Sequence, residues 1–280
     1  MSIVRVISYG AGVQSTAVVL RSLNGELPLP DAVVFADTGW EPQTVYDTLE
    51  ATRPLIEAAG VPLLIARTGN IREDALAEDG AGGRGRFAAM PLFTNNLAGE
   101  RSMMRRQCTN EYKIRAIEKM VRSEVLGIKK RGRVPKDVRV EQSIGISTDE
   151  ASRMKPNRRP WIDNVWPLCD MPQRGYPLFN RAKCKSWIDE HHPNILVAKS
   201  ACIGCPFRSD AEWREMKIER PDDFADAVDF DNRIRGLAKM ESPVYLHRSA
   251  TPLGDVDFSN AADLGQGDLF DNECEGMCGV

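Results

Sequence analysis

The chain reads as an α/β protein: a doubly wound, mostly parallel sheet with helices on both faces, joined to a helical, cysteine-containing C-terminal part. Three observations predict this. Short apolar runs alternate with helix-length stretches through the first third of the chain, and near-continuous apolar strands between helices mark a parallel sheet covered on both faces. The first run leads straight into a glycine-rich turn, "SYGAGVQST" at 8–16, and the second into a polar turn, "ADTGWEPQT" at 36–44. Polar turns at the carboxyl ends of strands are where open α/β sheets hold ligands.

The elements follow in order. A strand is predicted over 3–8, a short helix over 16–23, a buried strand over 32–36 ("AVVFA"), a helix over 44–59 and a third strand over 61–66. "EDGAGGRGR" at 78–86 breaks the rhythm and reads as a mobile loop or lid. A helix over 111–125 leads through the basic loop "KKRGRVPKD" to a strand over 138–146. Further helices are predicted over 178–191, 210–219 and 222–240. Residues 251–280, rich in Gly, Asp and Asn, read as a tail.

Composition bounds the function classes. A chain of 280 residues can bury a full core, and 42% hydrophobic with 28% charged residues is ordinary for a globular protein. No apolar run approaches the roughly 20 residues of a membrane span, and no signal-peptide pattern opens the chain. No membrane partner and a cytoplasmic location are expected. The net charge of −3 conceals a basic block: 101–139 holds 13 Lys/Arg against 4 Asp/Glu. Such a block is either a solvated face or a contact surface for a polyanion. Its position around Cys108 favours the second. Seven cysteines stand at 108, 169, 184, 202, 205, 274 and 278. The close pairs Cys202/Cys205 and Cys274/Cys278 point to metal or redox chemistry rather than structural disulfides.

A glycine-rich strand-to-helix turn offers backbone N–H groups and a helix N-terminus to an anion. Gly10 and Gly12 permit close approach, and Ser15 and Thr16 read as helix caps and phosphate donors. The turn lacks the Gly-Lys-Ser/Thr ending of a P-loop and the third glycine of a Rossmann turn. At the end of the second strand, Asp37, Thr38 and Gly39 set a second polar turn beside it.

The pair of turns resembles the adenine-nucleotide alpha-hydrolase (PP-loop) superfamily, and within it the phosphoadenylyl-sulfate (PAPS) reductase family. Its members carry a Ser/Gly-rich PP-loop, then Asp-Thr-Gly followed by Pro-x-Thr. Gly12-Val13-Gln14 resembles the reductase form of the loop, Gly-Ile-Gln, with Gln14 where the ATP-pyrophosphatase form has aspartate. "QCTNEYK" (107–113) resembles the family's Cys-x4-Lys segment, "IGISTDEASR" (144–153) its strand followed by Glu-x-x-Arg, and "ACIGCPFR" (201–208) its Cys-x-x-Cys. The likeness runs in order from Ile3 to Arg208. It implies a nucleotide-binding domain over 1–168, a helical part with the Cys-x-x-Cys over 169–250 and a cysteine-containing tail over 251–280. The implied nucleotide ligands are Ser8, Gly10, Gly12, Gln14, Ser15, Thr16, Asp37, Thr38, Gly39, Lys113 and Arg153, with Asp37 and Arg153 also in catalytic roles. Around Arg153, the basic loop "RMKPNRRPW" (153–161) reads as a phosphate or sulfate contact.

In cluster-bearing relatives, cysteines like Cys108, Cys202 and Cys205 hold a 4Fe–4S centre, and basic neighbours such as Arg105, Arg106, Lys113 and Arg208 suit its negative charge. The reductases have two adjacent cysteines at the first site, where this chain has Gln107-Cys108. A fourth ligand would then be Cys278 or Cys274 from the tail, or Cys184. Otherwise the fourth position stays open for an extra sulfide, as in sulfur-inserting relatives. A structural zinc site from the same cysteines is the alternative. Cys169 reads as buried filler. Glu273-Cys274 partly matches the Glu-Cys-Gly-x-His ending of sulfonucleotide reductases, whose cysteine attacks sulfur. Glu275 and the lack of a following histidine depart from it. His191-His192 reads as a helix C-terminus, and Trp161, Trp166, Trp187 and Trp213 as core.

Two enzyme readings compete. In one, ATP, accompanied by magnesium, activates a nucleic acid or other phosphate-bearing acceptor, and sulfur from a donor protein or the cluster replaces the activated oxygen. In the other, the nucleotide is PAPS or adenylyl sulfate, and a cysteine reduces it to sulfite with a thiol reductant protein. A nucleotide-binding regulator without catalysis is the third reading. Gln14 and Glu273-Cys274 favour reduction; the basic block, the long Gly-rich loop and the broken tail motif favour sulfur insertion, the reading taken as the expectation.

Overall fold

The computed structural model describes residues 2–77, 90–95, 99–169, 175–237, 240 and 242–259. The Gly-rich loop at 78–86, Cys274 and Cys278 lie outside the described residues. The chain runs β1 (Ser2–Tyr9), α1 (Val13–Leu23), β2 (Ala32–Asp37), α2 (Gln43–Ala58), β3 (Leu63–Arg67), α3 (Ile71–Leu76), β4 (Phe93–Asn95) and β5 (Arg101–Met103). Then follow α4 (Arg115–Met120), β6 (Val138–Ile144), β7 (Ile162–Val165), α5 (Arg181–His191), α6 (Asp210–Glu219), α7 (Pro221–Arg235) and β8 (Val244–Tyr245). Wider helical turns, Thr109–Ile114 and Val121–Val125, extend α4 at both ends. Two compact units interleave in sequence. The first takes Met1–Asp37, Glu41–Thr68 and Tyr112–Ser200; the second takes Thr38–Trp40, Gly69–Glu111 and the described chain from Ala201.

The first unit is α/β. Its five strands are all parallel, in the order β3-β2-β1-β6-β7. All six residues of β2 are buried, as a strand shielded on both sides requires. Alternation along the strands divides their side chains between two apolar clusters. Ile7, Tyr9, Val33 and Phe35 join residues of α1, α2 and α5. Val6, Val34, Ala36, Val140 and Ile162 join Ala116 and Ile117 of α4. Burying each large apolar side chain is worth about 1.5–3 kcal/mol, so these clusters dominate the unit's stability. The strand order reverses between β1 and β6, and the carboxyl ends there are Tyr9 and Ile144.

The second unit holds α3, α6, α7 and an antiparallel sheet in the order β5-β4-β8. Trp213, Met216, Ala227, Phe230 and Ile234 are among its fully buried side chains. Its three strands, two or three residues long, carry no periodicity to read, and four-residue β7 follows a proline at 160; none was anticipated. Several boundaries also move. The helix predicted over 222–240 begins with Pro221 in its first turn and stops at Arg235, before Gly236, following the usual proline-in, glycine-out asymmetry. The helix predicted from 178 begins at Arg181 because Asn180 caps it, accepting from the Lys183 amide. The strand predicted over 138–146 ends at Ile144.

Candidate functional site

In the first unit β1 ends at Tyr9 and α1 begins at Val13, so Gly10, Ala11 and Gly12 make the whole turn. The helix starts three residues before its predicted beginning: Gly12, rather than Ser15 or Thr16, is its N-cap. The Ser15 hydroxyl turns back, accepting from the Gly10 and Gly12 amides (3.2 and 3.3 Å) and donating to the Gly12 carbonyl at 3.2 Å. Ala11 takes a left-handed φ of 50°. Thr16 is fully buried with its hydroxyl 3.3 Å from that of Tyr9, which ties the helix to β1. Ser8 stands in β1, in register with Val34 and Ile144. Gln14 donates from Nε2 to Ser147 Oγ at 3.3 Å, joining α1 to the chain beyond β6.

Two residues beside this turn escaped the sequence reading. A Cβ on Gly145 would lie 2.6 Å from the Ser15 amide nitrogen and 2.7 Å from its Cα. Glycine is required there because β6 delivers the chain onto the start of α1. Ser200 Oγ lies 2.6 Å from where a Gly12 Cβ would stand and 3.4 Å from that of Gly10. A glycine after a strand gives the first a faint signal; the second has none.

Asp37 ends β2 and is 2% exposed. Its carboxylate accepts from the Tyr46 hydroxyl at 3.0 Å and from Arg67 Nε at 2.9 Å, and pairs with a second Arg67 nitrogen. Burial, and then the negative charge of Asp37, push the Tyr46 phenol up to about 12. It therefore remains a donor at neutral pH. Lys113 pairs with buried Glu41 at 3.6 Å. Arg153 pairs with Glu150 at 2.5 Å, the two charged members of the Glu-x-x-Arg segment, while its buried Nε has no hydrogen-bond partner among the described residues. Each of the three predicted nucleotide contacts thus has an internal partner of opposite charge.

Thr38, Gly39 and Trp40 belong to the second unit. Gly39 has φ +77°, with Asn70 against it; Asn70 Nδ2 donates to the Gly39 carbonyl at 3.1 Å and the Ile71 amide to that of Thr38 at 2.9 Å. The Thr38 hydroxyl lies 3.2 Å from Cys202 Sγ. The Cys-x-x-Cys forms a tight turn closed by the Cys205 amide on the Cys202 carbonyl at 3.1 Å. The Ile203 amide donates to the Trp40 carbonyl at 2.9 Å, and Gly204 lies so close to the Trp40 ring that any Cβ would overlap it.

Arg208 fixes the same turn. Buried, it donates to the Ala201 and Cys202 carbonyls at 3.0 Å and to that of Ile203 at 3.2 Å. Its guanidinium carbon is 5.7 Å from the Trp213 ring centre. Arg106 lies 5.0 Å over Phe207, so the segment with Cys108 touches the one with Cys205 in this unit. Cys108, Cys169, Cys184, Cys202 and Cys205 carry thiols. Among the described residues no three His, Cys, Asp or Glu side chains gather as a metal-binding group.

None of the family models, curated proteins or solved structures compared with the chain matches it. Its function is read from these residues.

The remaining candidates separate cleanly. Cys184 is buried in the first unit's core, and burial pushes its thiol up to about 12; such a thiol is inert. Cys169 is half-buried rather than fully so, and donates to the Ile146 carbonyl at 3.0 Å. His191 closes α5, bonds the Trp187 carbonyl at 2.9 Å and stacks on its ring. Trp187 and Trp213 are buried core residues, whereas Trp161 and Trp166 are partly exposed. The basic block is sorted by partner: Lys113 pairs with Glu41, Arg122 donates to backbone carbonyls, and Arg159 beyond it pairs with Glu118. Among the described residues no helix is long and apolar enough to cross a membrane.

Proposed function

We propose that the protein is an adenine-nucleotide-dependent sulfurtransferase similar to PAPS reductase-like PP-loop proteins, built on a doubly wound sheet with helices on both faces. An acceptor oxygen of a nucleic acid or other phosphate-bearing acceptor attacks the α-phosphate of ATP and releases pyrophosphate, and sulfide-level sulfur from a donor then displaces AMP, which leaves with that oxygen. One observation carries the reading: the Thr38 hydroxyl lies 3.2 Å from Cys202 Sγ. Within the second unit, a residue of the Asp-Thr-Gly motif touches a cysteine of the Cys-x-x-Cys, which supports a role for that motif in sulfur chemistry. The turn at Gly10–Gly12 supports the nucleotide half, because it opens an eleven-residue helix where the strand order reverses, the usual ligand position in such sheets.

The donor chemistry around Cys202 fits a thiolate-bound centre. Two thiols sit on one turn whose carbonyls are held by a buried guanidinium, so the backbone that carries them is fixed by the chain's own hydrogen bonds. We assign Cys202 and Cys205 as ligands, with Cys108 from the same unit and Cys278 or Cys274 completing the set, 4Fe–4S rather than zinc. When bound, such a four-thiolate centre would supply redox chemistry, and the transferred sulfur would come from a donor. The chain's own residues do the rest. Gly10 and Gly12 let phosphate approach the backbone; Thr38 orients the Cys202 sulfur, and Arg208 fixes the Cys-x-x-Cys backbone. Arg153, with an orphan Nε, is the cation best placed to exchange Glu150 for an anion.

Anaerobically purified protein tests this. Stoichiometric iron and sulfide, lost on Cys202→Ala or Cys205→Ala, and ATP affinity reduced at least tenfold by Gly12→Val are expected. Zinc without iron would replace the cluster by a structural site. Sulfite released from PAPS with a dithiol by the wild type and not by Cys274→Ser, at equal iron content, would replace sulfur insertion by sulfonucleotide reduction.

A further inference from the structure

The exposed loop between α4 and β6 carries Lys129, Lys130, Arg131, Arg133 and Lys136, all exposed, with Asp137 its single acid. Among the described residues none of the five cations forms an ion pair. The loop is nonetheless held in shape. Arg122 donates to the Lys129 and Lys130 carbonyls at 3.2 and 3.3 Å and to that of Gly132, and the Gly132 amide closes a turn on the Lys129 carbonyl at 2.8 Å. One half-buried arginine thus gathers the backbone and leaves five charged side chains exposed.

The loop's position separates it from the nucleotide turn. The Ser2 amide donates to the Asp137 carbonyl at 2.8 Å, so the loop meets the amino ends of β1 and β6. Arg139 donates to the Pro160 carbonyl, which brings exposed Arg158 near the same edge. Gly10 and Gly145 stand at the carboxyl ends. The seven residues of β6 span roughly 20 Å at about 3.3 Å each.

We propose that this loop docks the phosphate backbone of a nucleic acid at the amino edge of the sheet, on a surface distinct from the nucleotide turn. Outward cations on a prefolded loop match a regular array of phosphates and lose little conformational freedom on binding. Arg131, Arg133 and Arg158 add planar, bidentate phosphate donors. A membrane surface fits less well. Ile128 and Val134 are half-buried, no aromatic residue lies in 129–137, and interfacial anchoring needs apolar side chains to insert. The proposal deepens the nucleic-acid acceptor of the reading above but does not depend on the chemistry at the turn.

The test uses the full chain, a fluorescent DNA duplex of about 20 base pairs, the matching RNA duplex, and phosphatidylserine vesicles. The wild type is expected to bind at least one of the two duplexes, with log affinity falling against log salt by about 0.9 per phosphate contacted. Replacing Lys129, Lys130, Arg131, Arg133 and Lys136 together by alanine should weaken binding at least tenfold and lower the salt slope by about 3–5, at unchanged melting temperature and ATP affinity. Arg131→Glu with Arg133→Glu should also weaken binding at least tenfold, and lower the salt slope by about 2. Unchanged affinity and slope in both variants, no nucleic-acid binding by the wild type, or binding to vesicles alone would each overturn the proposal. Loss of ATP binding by the wild type would instead strike the nucleotide reading and leave the loop's result standing.

Discussion

Gly145→Ala tests whether the end of β6 and the start of α1 form one rigid cradle. The added carbon would lie 2.6 Å from the Ser15 nitrogen, 2.7 Å from its Cα and 2.9 Å from the Gln14 carbonyl carbon. Ordinary contact begins at 3.4 Å, so the backbone at the start of the helix must retreat by most of an ångström. All three atoms are main chain, and no flexible side-chain end can yield instead. Overpacking of this kind costs about 1–3 kcal/mol, or roughly 2–4 °C of melting temperature for each kcal/mol. The same retreat displaces Ser15, whose hydroxyl holds the Gly10 and Gly12 amides. ATP affinity should therefore fall about tenfold, equivalent to about 1.4 kcal/mol. Chemical denaturation and calorimetric titration of the same preparation read both effects. Gly60→Ala is the control: its φ is +72° but nothing lies within 4 Å of the new carbon, so it should lower stability through backbone strain and leave ATP affinity alone. Wild-type midpoint and affinity in Gly145→Ala would refute the cradle.

Other perturbations follow the same logic. Arg208→Met should orphan three carbonyls of the Cys-x-x-Cys segment, lowering stability by about 2–3 kcal/mol and reducing iron content, with Arg208→Lys recovering part of each. Cys184→Ala should cost about 1 kcal/mol and leave iron content unchanged, because that thiol is core. The Tyr46 phenol, pushed up by burial and then by Asp37, should titrate near about 12 in tyrosinate absorbance, and lower in Asp37→Asn. Burial pushes the Asp210 carboxyl up, but hydrogen bonds from His247 and Arg248 overcome this and hold it below its usual range. A depressed carboxyl gives stability that is complete above its unfolded value, about 4, and is lost as pH falls through the folded one. Asp210→Asn should therefore flatten the acid limb of the stability profile below about pH 4.

Local pattern carried much of the fold. The buried run of β2 is written in Val33, Val34 and Phe35, and the turn after β1 in its two glycines. What lay beyond the sequence depends on residues far apart in the chain. Ser200 and Gly145 reach the Gly10–Gly12 turn from positions more than a hundred residues away. Arg208 looks like one more basic neighbour of a cysteine until its three carbonyl acceptors are seen. The start of α1 was misplaced because Ser15 and Thr16 have capping side chains, whereas the cap is Gly12, with Ser15 bonding back to its amide. The basic block was legible as charge but not as geometry, since Lys113 and Arg159 pair with Glu41 and Glu118 and Arg122 holds the loop's own carbonyls, leaving the loop's cations exposed. A linear division at 168 and 250 cannot express a unit that takes Thr38–Trp40 from the middle of the first third.

Those three residues and Asp37 before them show how a motif distributes its work. A carboxylate that is 2% exposed and held by Arg67 and Tyr46 is poorly placed to take a proton from a substrate. Its physical effect is to fix the end of β2. Thr38 then presents its hydroxyl to Cys202. Gly39 supplies the left-handed φ that L side chains avoid, and its carbonyl is held by Asn70. Trp40 accepts the Ile203 amide and lies against Gly204. Asp37 therefore anchors the end of β2, Gly39 and Trp40 shape the turn, and the threonine hydroxyl is left beside the Cys202 sulfur.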